Sequence, residues 1–215
     1  MTGSFSSYPL VKICGLRRVE DLEAVRAAGA DLAGLVFAPS RRQIEPDAAK
    51  ALLRAVPGHP PAVGVFVNAE VELMDGVAEE VGLEYVQLGG EESPPEGLKT
   101  PYIKTVHLRP GADAQSLLHI MNWHRDAVAF LLDTWSPQGG GSGIVGDWAI
   151  VEEVVRQSAK VVWLAGGLHS QNVQAGLRET GAAGVDVSSG VERDGWKDPS
   201  LIQEFVASAK GAKRC

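Results

Sequence analysis

Eight short apolar runs, at 10–14, 32–37, 61–67, 84–88, 101–106, 127–133, 160–165 and 183–187, recur along this chain with amphipathic stretches between them. The intervening stretches carry the period of helices, most clearly over 19–28, 46–56, 71–81, 148–157, 171–179 and 199–209. Sharing 215 residues among eight such units leaves about 27 for each, enough for a strand, a helix and short turns. Eight β-then-α units predict an α/β protein in which one (β/α)8 barrel of the TIM type, with few insertions, spans 1–215. The punctuation agrees. Gly29 and Gly181 follow helical patterns as C-cap glycines do, Pro46 and Pro199 suit first-turn positions, and Asp147 suits an N-cap before Trp148. The runner-up is an open doubly wound sheet. It ranks lower because such sheets commonly have five or six strands, and Gly139-Gly140-Gly141-Ser142-Gly143 lacks the spacing of a dinucleotide fingerprint. The pattern is weakest over 84–121, where Glu91–Gly97 has room for little more than one helical turn.

A chain with 45% hydrophobic residues has enough apolar surface for one well-buried domain. Its two cysteines, Cys14 and Cys215, provide neither a disulfide framework nor a cysteine metal cluster, which points to a reduced, cytoplasmic protein. The formal charge of −7 and short basic pairs such as Arg17-Arg18 and Arg41-Arg42 argue against nucleic acid and for a small ligand. No run approaches the roughly 18 residues of a membrane span, and Met1-Thr2-Gly3-Ser4-Phe5 lacks the features of a signal peptide.

Chemistry is expected at the carboxyl ends of the strands. Cys14 ends the first run and is followed at once by Gly15. Strand alternation puts Lys12 on the same side, so an ammonium stands near the thiol and is expected to lower its pKa, producing thiolate near neutrality. The bland alternative is a small buried hydrophobe. Asp133 ends the sixth run, where burial raises a carboxyl toward the range a general acid needs; otherwise it binds loop amides. Ala165-Gly166-Gly167 and Ser188-Ser189-Gly190 follow the seventh and eighth runs, the places where barrels commonly hold phosphate. Asp186 should face inward beside Lys12, and a buried Lys12–Asp186 pair would moderate the ammonium's effect on Cys14. Arg42, after the second run, has a planar fork suited to a carboxylate, although most loop arginines are solvated. Histidines 59, 119, 124 and 169 lie in polar loops or on helical faces without metal-site spacing, and His107, just past the fifth run, can reach the pocket although most such residues do not. Phe66, Trp148 and Trp163 read as packing residues.

Taken in order, Val11-Lys12-Ile13-Cys14-Gly15-Leu16, Val63-Gly64-Val65-Phe66-Val67-Asn68, Val86-Gln87-Leu88, Leu131-Leu132-Asp133-Thr134, Asp147-Trp148, Gly166-Gly167-Leu168 and Asp186-Val187-Ser188-Ser189-Gly190-Val191-Glu192 resemble the phosphoribosylanthranilate isomerase family along nearly the whole chain. The resemblance implies a (β/α)8 barrel that performs a cofactor-free, metal-free Amadori rearrangement of a phosphosugar in tryptophan biosynthesis; monomer and homodimer are both open from the sequence. It implies Cys14 as general base and Asp133 as general acid. Arg42, Gln87 and Asp186 become substrate-binding positions, and Gly166, Gly167, Ser188, Ser189 and Gly190 a phosphate cradle. The chain departs from the family pattern at Gly89, where histidine is common, at Gln43, Gly146 and Arg17. Two other readings are another phosphosugar isomerase or epimerase on the same barrel, and a non-catalytic barrel that binds a phosphate ligand.

Overall fold

A computed structural model describes residues 9–134 and 147–212. The expected Gly139–Gly143 loop, Gly146 and Cys215 lie outside the described residues. Strands β1 (Leu10–Cys14), β2 (Leu32–Val36), β3 (Ala62–Phe66), β4 (Tyr85–Leu88), β5 (Tyr102–Leu108), β6 (Ala129–Thr134), β7 (Val162–Ala165) and β8 (Gly184–Val187) form a closed barrel in chain order. Every neighbouring pair is parallel, and β1 pairs with β8 in the register Lys12 to Asp186, so the sheet has no edge and the open-sheet alternative falls.

Strand alternation sorts the apolar side chains into two sets. Leu10, Leu32, Val63, Ile103, Leu131 and Trp163 form one buried cluster that fills the barrel. The intervening residues, such as Val11, Ile13, Leu35, Val86, Phe130 and Leu164, join a larger cluster with the surrounding helices. Those helices are α1 (Val19–Ala28), α2 (Pro46–Ala55), α3 (Val71–Val81), α4 (Ala114–Trp123), α5 (Trp148–Gln157), α6 (Val173–Thr180) and α7 (Pro199–Lys210). The caps are as expected: Gly29 and Gly181 take φ of 73° and 65°, Pro46 and Pro199 open α2 and α7, and the Asp147 carboxylate accepts from the Ala149 amide.

The weak stretch of the sequence departs most from a regular barrel. No helix follows β4; residues 89–101, interrupted by Pro94 and Pro95, cross the barrel's outside as a loop. The loop is held by the Glu92 carboxylate, which accepts from the amides of Asn68 and Gly90 and meets Lys104 Nζ at 2.8 Å. Lys104 occupies an outward position of β5 and is 3% exposed, where another strand would place an apolar residue against a helix. Helix α4 then follows β5, capped by Asp113, whose side chain accepts from the Ser116 amide. Between β8 and α7, a 3-10 turn (Ser189–Val191) leads into a two-stranded hairpin, β9 (Glu192–Arg193) and β10 (Trp196–Lys197).

Candidate active site

The carboxyl end of the barrel gathers most of the residues singled out from the sequence. Arg42, Asp133, Gly166, Gly167, Asp186, Ser188, Ser189 and Gly190 line one cavity. Cys14, at the end of β1, is tied to this lining through its backbone, since the Ser188 hydroxyl donates to the Cys14 carbonyl oxygen at 3.0 Å. Gln87 is elsewhere: it lies inside the barrel, 5% exposed, with Nε2 donating to Thr105 Oγ1 and its carbonyl oxygen unpartnered among the described residues.

Lys12 Nζ donates to Asp186 Oδ1 at 2.7 Å, with the lysine 1% exposed, so the buried pair read from the sequence is present. Gly34, the β2 register partner of Cys14, makes room for this packing, since a Cβ there would fall 3.0 Å from the thiol sulfur and 3.1 Å from Lys12 Nζ. The expected depression of the thiol pKa is corrected by the structure. Burial pushes the Cys14 thiol up, and the opposing pull of Lys12 does not overcome it, with Asp186 pushing further upward and Lys197 pulling down. The physical reason is depth: Cys14 is 7% exposed, and a thiol so buried has lost most of the hydration that stabilises a thiolate. Burial would lower Lys12, but Asp186 and the sulfur more than offset it, and its pKa lies above the ordinary value. Lys12 is therefore a cation and Cys14 a thiol at rest near neutrality.

Asp133 behaves as expected. Its carboxyl is pushed up to about 6, by burial first, with the His107 charge pulling down, Asp186 pushing up and Lys12 pulling down. His107 lies within β5, which runs two residues beyond the apolar run, and its Nδ1 is 3.9 Å from Asp133 Oδ2.

Loops after β7 and β8 are built to touch. Gly166 and Gly167 have φ of 86° and 64°, a conformation in which a side chain is strained. Asn172 secures the first loop by donating to the Gly167 carbonyl and accepting from the His169 amide. At Gly190 a Cβ would lie 1.8 Å from the Leu168 carbonyl oxygen, so only glycine permits the approach.

Two residues of this end carried no assigned role in the sequence reading. Glu192 accepts from Arg42 Nε at 2.7 Å and Nη2 at 3.1 Å, and from Lys197 Nζ at 2.9 Å, and Arg41 also pairs with it. Burial raises the Glu192 carboxyl, but the bonds from Arg42 and Lys197 dominate and hold it down at about 2. Lys197, 4% exposed, also donates to the Ser188 carbonyl. Arg42 is thus anchored through one edge of its fork, while its Nη1 makes no hydrogen bond among the described residues. Arg42 and Glu192 are 150 residues apart in sequence, and no local pattern joins them. Arg17, another departure from the family pattern, stacks over Trp196 at 4.2 Å and donates to the Arg41 carbonyl, tying the hairpin to the loop after β2.

Fold and site together define a (β/α)8-barrel enzyme whose titratable groups gather where its strands end. Residues 11–208 match the family described as N-(5'phosphoribosyl)anthranilate (PRA) isomerase. A relative of that name from Brevibacillus brevis is 41% identical over 209 residues, covering 93% of each chain. The crystal structure of phosphoribosyl anthranilate isomerase from Thermotoga maritima superposes with a TM-score of 0.83 at 37% identity, covering 94% of this chain and 98% of that one. A structure of the enzyme in complex with reduced 1-(o-carboxyphenylamino)-1-deoxyribulose 5-phosphate has a TM-score of 0.79 at 35% identity, with the same coverage. The chain belongs to the phosphoribosylanthranilate isomerase family. It catalyses the family's intramolecular isomerisation in tryptophan biosynthesis, and the two alternative readings are not favoured.

Proposed function

We propose that Cys14 and Asp133 are the general base and general acid of this isomerisation, with the substrate stretched between the loops after β7 and β8 and Arg42. What carries the reading is one juxtaposition: the raised carboxyl of Asp133 lines the cavity of the glycine-serine loops, and Cys14 ends a separate strand, β1, bonded through its backbone to Ser188 of that lining. Asp133 protonates the furanose ring oxygen of N-(5'-phosphoribosyl)anthranilate, and the C–O bond opens to an iminium ion. The cationic nitrogen acidifies the adjacent C2 proton, which the Cys14 thiolate removes without a metal or cofactor. The enolamine then tautomerises to 1-(2-carboxyphenylamino)-1-deoxyribulose 5-phosphate. Gly166, Gly167, Ser188, Ser189 and Gly190 receive the phosphate, where backbone groups approach an anion closely. Arg42, fixed by Glu192, presents its remaining edge to the anthranilate carboxylate. Asp186 acts by holding Lys12 beside the thiol. Gln87 belongs to this site only through Thr105, which lies one inward position below His107 on β5. Anchoring at both ends places the sugar between acid and base. The whole chain acts as one catalytic domain, as a monomer or homodimer in the cytoplasm.

The test is turnover of substrate generated in place by its upstream transferase and followed by loss of anthranilate-type fluorescence. Cys14→Ala and Asp133→Asn should each lower kcat by about 10²-fold or more while thermal unfolding stays cooperative. Near-wild-type turnover of either variant overturns that residue's role.

A further inference from the structure

His107 faces the acid of this site, and the roles above leave it unused. One side of its ring is fixed: Nε2 lies 2.9 Å from the Gly89 carbonyl oxygen. A carbonyl only accepts, so Nε2 keeps its proton in both charge states of the ring. Nδ1 is then the atom that gains and loses a proton, and it is the one directed at Asp133 Oδ2, 3.9 Å away. The backbone sets this geometry, because His107 and Asp133 are register partners on adjacent parallel strands and both point inward. Each side chain is 25% exposed, so the pair is open to water.

The charged surroundings isolate the pair. Lys12 of β1 and Asp186 of β8 also act on Asp133, but they are bonded to each other and their effects oppose. Strand β7 places Ala165 beside Asp133 in register. Arg42, across the cavity, is bonded to Glu192, and Lys104 of β5 is turned outward to Glu92. The loop after β4 offers His107 a neutral carbonyl.

We propose that His107 is a positioning residue for the proton donor: its Nδ1 faces the Asp133 carboxyl and shares a proton with it. When Asp133 gives its proton to the substrate's ring oxygen, Nδ1 takes a proton from water, and the resulting cation faces the carboxylate left behind. The imidazolium then passes its proton to the Asp133 carboxylate, and the proton that Cys14 took from C2 returns to water, so acid, base and imidazole are all reset before the next substrate. The proposal rests on Asp133 being the general acid. It explains why an imidazole stands at a barrel mouth with only one of its nitrogens engaged by the backbone.

Two measurements test it. In the pH profile of kcat/KM, His107→Asn should move the limb near pH 6 upward by about half a unit or more, because the cation that favours the carboxylate is gone. KM should stay within about twofold, which separates this from a loss of binding. Independently of any His107 variant, the ring of His107 followed by NMR should titrate about half a unit or more lower in Asp133→Asn than in the wild type. An unmoved limb, or a His107 titration indifferent to Asp133→Asn, overturns the pairing. Wild-type turnover of Asp133→Asn overturns the acid assignment instead, and the NMR titration reads the pairing separately.

Discussion

The pH dependence of turnover follows from an inversion between the two proton carriers. Asp133 titrates at about 6, and Cys14 is pushed above the ordinary thiol range, so the acid loses its proton before the base does. The form that works has Asp133 protonated and Cys14 ionised. Because burial holds the thiol above its ordinary range while Asp133 lies at about 6, that form is a small minority of the free enzyme. Its fraction is flat between the two values, because each pH unit that gains thiolate loses protonated carboxyl equally. Below pH 6 protonated Asp133 no longer increases while thiolate falls, so the acidic limb marks Asp133; the alkaline limb marks Cys14. The perturbation that exposes this is Asp133→Asn, a neutral group of the same size. With no acid left to titrate, its residual kcat/KM should lose the limb near 6 and rise about tenfold per unit up to the thiol's value. The assay is the fluorescence decay from pH 5 to 10, with iodoacetamide alkylation of Cys14 as a separate reading of the thiolate. An alkylation midpoint near 7, or an acidic limb near 6 that survives in Asp133→Asn, refutes the reasoning.

Two further outcomes are expected. Gly190→Ala should raise KM by about tenfold or more with a smaller change in kcat, because a Cβ 1.8 Å from the Leu168 carbonyl forces the two anion-facing loops apart; unchanged KM and unchanged inhibition by inorganic phosphate would show that the loops do not hold the phosphate. Lys104→Met should lower unfolding free energy by about 3–5 kcal/mol, measured by urea denaturation, by leaving Glu92 buried and unpaired, and Lys104→Met with Glu92→Gln should restore part of it; a double variant no better than the single would refute the clamp.

Much of the barrel was legible because each strand's character is local. The run 10–14 coincides with β1, and glycines and prolines marked the helix ends where backbone chemistry demands them. Helix α4 lies within 84–121, the stretch where the sequence pattern is weakest. His107 looked like a residue beyond its strand because a polar side chain ended the apolar run, yet β5 continues to Leu108 and carries the ring inward. In the site, alternation put Lys12 on the side of Cys14, and alternation together with closure of the barrel put Asp186 beside Lys12. The direction of the thiol's shift depended on how deeply it lies, which spacing does not encode. The grip of Glu192 on Arg42 likewise arises only when the loops after β2 and β8 meet.

The Lys12–Asp186 bond joins residues 174 positions apart, and it lies across the seam where the first strand meets the last. During synthesis β1 emerges first and has no partner on that side until β8 has been made, so the ring closes late and over a long chain separation. Until then Lys12 lacks the Asp186 carboxylate, and Cys14 lacks the burial that the closed barrel gives it. The reactive centre is therefore assembled by ring closure itself: a partly made or seam-opened chain has a readily alkylated cysteine and no activity, and both properties switch together when the last strand docks.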